Sequence, residues 1–111
     1  SLHQALEDCL AVDARMVLLS CFEVGASLAA DWGKPQEAAT LLGADHELRE
    51  ELDTTLDDYE RSVLEGVEGK TRGLLGEEDF VQAFERGRSL RIEDAAALAL
   101  ALTTDAGLSF M

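Results

Sequence analysis

An all-α domain of about five helices, packed as an antiparallel bundle or short solenoid, is predicted by three observations. Hydrophobic residues make up 47% of the chain, mostly as Ala and Leu, whereas aromatics reach only 5%; this mixture favours helices over sheets, which draw on β-branched and aromatic side chains. Apolar positions recur at helical spacing along most of the chain. Glycine and proline fall where helices would stop and restart, as in Trp32-Gly33-Lys34-Pro35. At 111 residues the chain suits one domain able to bury a core without disulfides or a structural metal.

Residues 2–10 predict a short helix with Leu2, Leu6, Cys9 and Leu10 on one side, followed by a boundary near Asp13. A longer helix over 14–32 carries two adjacent rows, Val17, Cys21, Val24 and Leu28 beside Leu18, Phe22, Gly25 and Ala29. So wide a stripe implies neighbours on two sides. Gly33 ends this helix, and Pro35 sits at the first turn of the next, where its missing N–H costs nothing. That helix runs to about Leu52 with Ala38, Leu41, Leu42, Asp45, Leu48 and Leu52 inward. So short a turn makes residues 14–52 an antiparallel hairpin. Gly25, Ala26, Ala29, Ala38 and Ala39 would let its backbones approach closely.

A third helix is expected from near Thr55, capped by Asp53-Thr54-Thr55, with Leu56, Tyr59, Val63 and Val67 as its inner row. Gly66, Gly69 and Gly73 each cost up to ~1 kcal/mol relative to Ala, which predicts fraying or a kink around residues 68–70. Over 74–102 two further helices are read. Gly76 stops one, Glu77, Glu78 and Asp79 favour the start of the next, and Gly87 offers a second stop. Phe80, Val81 and Phe84 share one face; Ile92, Ala95, Ala96, Leu98, Ala99 and Leu102 recur on the last helix. Residues 55–102 thus read as helices capping the hairpin. The tail, 104–111, has no period, and Phe110 and Met111 are expected to tuck against the body or stay disordered. The expected core is Phe22, Leu28, Trp32, Leu41, Leu42, Leu48, Tyr59, Phe80, Phe84, Leu98 and Leu102.

The spacing of Phe22, Ala26, Gly33, Ala38 and Leu42 resembles one degenerate tetratricopeptide (TPR) unit. More specific is the order of blocks: AATLLGADHELREEL at 38–52, DDYERSV at 57–63, and LLGEEDFVQAFERGRSLRIEDAAALAL at 74–100. It resembles the TPR-like helical C-terminal region of large bacterial signalling ATPases, in which the same polypeptide carries a LuxR-type or related DNA-binding domain or an adenylate-cyclase domain. The resemblance implies a non-catalytic interaction or regulatory module of a multidomain, cytoplasmic regulator, its partners being other domains of the parent, another protein or a second copy. Two departures stand out. Arg91 occupies a place the family usually gives to Ser or Thr, removing the side-chain cap of the last helix, and Asp53-Thr54-Thr55 replaces a proline-rich entry. One hairpin is also fewer than the about three repeats a free-standing solenoid needs.

The formal charge of -14 disfavours nucleic acid through this segment and anionic membrane surfaces, and no run approaches the ~18 apolar residues of a membrane helix. The N-terminus SLHQALEDCL lacks the basic flank of a signal peptide; its start without Met suggests a piece of a longer protein. Cys9 and Cys21 lie on apolar rows, outside any zinc spacing, and are expected as buried reduced thiols. His3 and His46 each precede a glutamate by four residues, Glu7 and Glu50, a surface His–Glu pattern; a metal site would need further inward carboxylates. Gly87-Arg88-Ser89-Leu90 faintly resembles the attachment loop of acyl carrier proteins, but Arg88 stands where those have Asp, leaving Ser89 turn duty. No phosphate-binding loop and no nucleophile–base pair is evident, so neither cofactor nor catalysis is expected. The candidate surface is Trp32 with the acidic Glu47, Glu50 and Glu51. The alternative is a helical bundle binding a small-molecule effector or a metal.

Overall fold

The computed structural model describes residues 2–105, with side chains over 13–103. The chain is all-α. The described residues form five helices, α1 (Leu2–Asp31), α2 (Pro35–Leu52), α3 (Asp58–Leu75), α4 (Glu77–Ser89) and α5 (Ile92–Asp105). α2 lies at the centre, packed against each of the other four, with α1 and α4 its most extensive neighbours. No described helix is long and apolar enough to cross a membrane. The expected Leu2, Leu6, Cys9 and Leu10 face, the His3–Glu7 pair, and Phe110 and Met111 all lie outside the described side chains.

α1 is one continuous helix, so the boundary expected near Asp13 is absent. An exposed Asp in a helix interior costs only about 0.6 kcal/mol, and neither Gly nor Pro occurs before Gly25. The α1–α2 turn forms as read. Gly33 takes φ +71°, the Lys34 amide donates to the Ala29 carbonyl at 2.8 Å, and Pro35 opens α2. This six-to-one bond is the closure left-handed glycines make at helix ends.

At the far end of α2 the same closure is made by an aspartate. Asp53 adopts φ 50°, ψ 46°, and the Thr54 amide donates to the Arg49 carbonyl at 3.1 Å. Asp53 therefore terminates α2 and cannot cap α3, which begins at Asp58 and not near Thr55. The α3 cap is Asp57, whose Oδ1 accepts from the Glu60 amide at 2.7 Å while Glu60 reaches back to the Asp57 amide, a reciprocal capping box. The later start shifts the inner row. Leu64 and Thr71 are buried, with Val67 and Leu75 against the core, whereas Tyr59 is 79% exposed and Val63 is exposed too.

α3 also runs without a break through residues 68–70. Thr71 is fully buried, its hydroxyl donating to the Val67 carbonyl at 2.7 Å. Ion pairs from Lys70 to Asp31 and from Arg72 to Glu68, both 2.9 Å, hold the glycine-containing turns from outside. A Cβ at Gly66, Gly69 or Gly73 would meet open space. Alanine at all three should therefore stabilise the domain, by up to ~1 kcal/mol each; a lowered midpoint in urea denaturation would contradict this.

Gly76 alone separates α3 from α4, at φ +85°. Its neighbour Glu77 pairs with Arg72, whose guanidinium sits 4.2 Å above the Phe80 ring, and Phe80 stacks on Phe84 at 5.7 Å. The core is Leu19, Phe22, Leu41, Leu42, Leu48, Leu64, Phe80 and Leu102, with alanines filling the closest gaps. Leu28, Phe84 and Leu98 are half-buried; Trp32, counted in the expected core, is 42% exposed at the turn.

Gly87 is not a stop. α4 continues to Ser89, and Gly87 is a buried contact. A Cβ there would fall 1.9 Å from the Thr40 carbonyl oxygen, and one at Gly43 would fall 2.0 Å from the Phe84 carbonyl oxygen. α2 and α4 thus touch backbone to backbone through two reciprocal glycines, one from each helix.

Candidate functional site

The outer row of α1, Val17, Cys21, Val24 and Leu28, was expected to be covered; instead its first three members are exposed and Leu28 is half-buried. The reason is the placement of α5 and α3, which pack on the two flanks of α1 and leave its crest open. Between α1 and α5 lies a groove of about 530 Å³ lined by Val17, Leu18, Cys21, Val24, Ala99 and Leu100 among others. Its polar atoms come from Ser20, Cys21 and Thr103, so the surface is almost wholly apolar. Val17 is 62% exposed and Leu100 67%. Isolated exposed hydrophobics are ordinary, but a contiguous patch of them marks an interaction surface.

A second hollow of about 390 Å³ runs along the other flank of α1, between it and α3, and shares Ser20 and Val24 with the first. Together they make one trough with α1 as its floor. Tyr59, Val63 and Leu64 supply the α3 wall, and the charged side chains lining it are Glu23 and Glu60. The tyrosine and valine that the sequence pattern assigned to the core thus belong to this wall. Cys21, expected as a buried thiol, is exposed in the trough. The signal available in the sequence was the width of the α1 stripe: two apolar rows require two neighbours, and one row was left without one.

Beneath the acidic wall is a polar cluster spanning three helices. Asp45 on α2 is 3% exposed. The Arg49 Nε donates to Asp45 Oδ2 at 3.1 Å, the other arm of the guanidinium pairs with Glu23 on α1, and Glu60 on α3 stands 3.7 Å away. Burial, together with the hydrogen bond and repulsion from Glu23, pushes the Asp45 carboxyl up to about 7 against the opposing pull of Arg49. Burial alone would lower the Arg49 pKa, but the Asp45 and Glu23 carboxylates outweigh it and raise the value. Asp45 Oδ1 is buried and finds no donor among the surrounding groups. Burial is the largest cause, and a proton on Asp45 also removes the like charge facing Glu23, so the group holds it. Asp45, expected on the inner side of α2, is buried there, and its hydrogen bond is made within α2 to Arg49, one turn on.

The candidate surface residues fall in two places. Trp32 lies at the α1–α2 turn, whereas Glu47, Glu50 and Glu51 lie near the other end of α2, about 18–24 Å along the helix from Pro35. The glutamates are engaged within the fold: Glu47 accepts from Arg88 Nε at 3.1 Å, Glu51 pairs with Arg15 at 3.3 Å, and Glu50 pairs with His46 at 3.0 Å. Glu47 and Glu51 border a small hollow of about 100 Å³ with Phe22, Arg88 and Ile92. The His46–Glu50 surface pair is as expected. Ser89 donates to the Glu85 carbonyl at 3.3 Å, a local helix-end bond. Among the described residues, no group of three or more His, Cys, Asp or Glu side chains is placed to hold a metal ion.

No family model, curated protein or solved structure matches the chain.

Proposed function

We propose that this domain is a non-catalytic protein-interaction and regulatory module that seats a partner segment in the trough along α1. The observation that carries this reading is the almost purely apolar groove between α1 and α5, built by a helix whose outer residues Val17, Cys21 and Val24 are exposed. The likeness of residues 14–102 to the TPR-like region of large bacterial signalling ATPases supports a setting within a cytoplasmic transcriptional or signalling regulator. DNA binding in such a parent would belong to another domain, since the charge of -14 repels phosphates.

Cys21 provides the test. With Cys9→Ser leaving a single thiol, alkylation of Cys21 should slow when another segment of the parent polypeptide is added, and Leu100→Glu should restore the rate. Leu100 is exposed, so the charge should block docking without disturbing the core. An alkylation rate unchanged by every segment, in a chain that also sediments as a monomer, would refute the reading. A small apolar effector is the second reading, favoured by a groove volume within the range of ligand sites. It predicts displacement of an apolar dye by small ligands and not by segments of the parent.

A further inference from the structure

We propose that the occupant of the trough is an amphipathic helix whose polar flank is basic, lying along α1 with apolar side chains in the α1–α5 groove and Lys or Arg against Glu23 and Glu60. This rests on the interaction reading above and names the chemistry of the partner. The floor from Val17 to Leu28 rises about 16 Å, three turns of helix, and a helix laid there offers apolar residues at three- and four-residue spacing to one side. That side meets Val17, Val24, Ala99 and Leu100. The other meets the α3 wall, where both charged lining residues are acidic. Arg49 neutralises only part of this wall: with Asp45 protonated, Glu23 and Glu60 against Arg49 leave one net negative charge, and with Asp45 ionised they leave two. The groove gives affinity and the wall gives direction, because complementary charge fixes register and speeds encounter.

Other occupants fit less well. A second copy meeting this face would bring the same patch, whose charged lining residues are acidic and not basic, on chains each carrying -14. An acidic or neutral helix could use the groove but would leave the excess negative charge of Glu23 and Glu60 over Arg49 unmatched.

The test uses the full 111-residue chain and three labelled peptides of about five helical turns, ~18 residues. One has a Leu row flanked by Lys and Arg, one the same row flanked by Glu, and one the basic composition scrambled to remove the row. Fluorescence anisotropy should show the basic amphipathic peptide binding at least about tenfold tighter than either control. Leu100→Glu should abolish that binding, and Glu60→Gln, which keeps the hydrogen bond at the α3 cap, should weaken it about fivefold. Equal binding of the basic and acidic peptides, both lost in Leu100→Glu, would overturn the basic partner while leaving the interaction module standing. A dimer in sedimentation that Leu100→Glu dissociates would name the second copy as occupant and likewise overturn it. Binding of the scrambled peptide as tightly as the patterned one would reduce the effect to bulk charge. Failure of all three peptides would overturn the basic helix, and the Cys21 protection experiment then decides separately whether the trough is an interface.

Discussion

Gly43→Ala or Gly87→Ala should destabilise the domain by at least about 3 kcal/mol, although alanine is the better helix former at both positions by ~1 kcal/mol. The added methyl meets a carbonyl oxygen of the facing helix at 2.0 Å for Gly43 and 1.9 Å for Gly87, and backbone cannot rotate away as a side chain can. α2 and α4 must separate around Thr40, Gly43, Phe84 and Gly87, and protein interiors are packed too closely to absorb that movement without gaps. The double variant should lose clearly less than twice the single loss. Once one methyl has parted the helices, the second enters space already opened, so the two sites couple strongly. Urea denaturation of the four proteins checks this: additive losses, or a single-variant loss below about 1 kcal/mol, would mean the contact is not the rigid one described.

These two glycines also show where the sequence stops being legible. A glycine that ends a helix and a glycine that admits a neighbouring backbone look alike in one sequence. Gly33 was readable because Pro35 follows it; Gly87 precedes Arg88-Ser89-Leu90, equally a stop sequence, and only the position of Thr40 on another helix explains it. Gly43 sits mid-pattern in α2 with nothing local to mark it. The reverse holds for Gly66, Gly69 and Gly73, where three costs in one helix predicted a kink that contacts at Thr71, Lys70 and Arg72 override. The all-α class, the α1–α2 turn and the acidic start of α4 were readable because each depends on neighbours in sequence.

The candidate site was partly legible for the same reason. Val17, Cys21 and Val24 were identified as an apolar row, and Tyr59 and Val63 as another; that both rows stay open and face one trough depends on the angle at which α3 and α5 flank α1. Asp45 was placed on the inner side of α2 by spacing alone. Its partner Arg49 is local, but Arg49 in turn meets Glu23 and Glu60, 22 positions before Asp45 and 15 after it, so the charge state of the cluster belongs to the fold.

That charge state gives the second large effect. Folded Asp45 holds its proton up to about pH 7, whereas the unfolded chain releases it near the ordinary carboxylate value. Between those two values the folded state binds the extra proton, so the stability Asp45 contributes is full below about pH 4 and is lost as pH rises through 7. From pH 5 to 8 the loss should be roughly 2 kcal/mol, about 8 °C in Tm. Growing repulsion among other carboxylates acts in the same direction, so the slope must be assigned by substitution. Asp45→Asn keeps an oxygen for Arg49 and supplies a permanent N–H toward Glu23. Its Tm should vary far less over this range and should exceed the wild-type value at pH 8. Glu23→Gln should reduce the same slope from the α1 side, since an amide there removes the like charge that adds to burial in holding the proton on Asp45. Parallel pH profiles for the wild type and both variants would place the titrating group elsewhere.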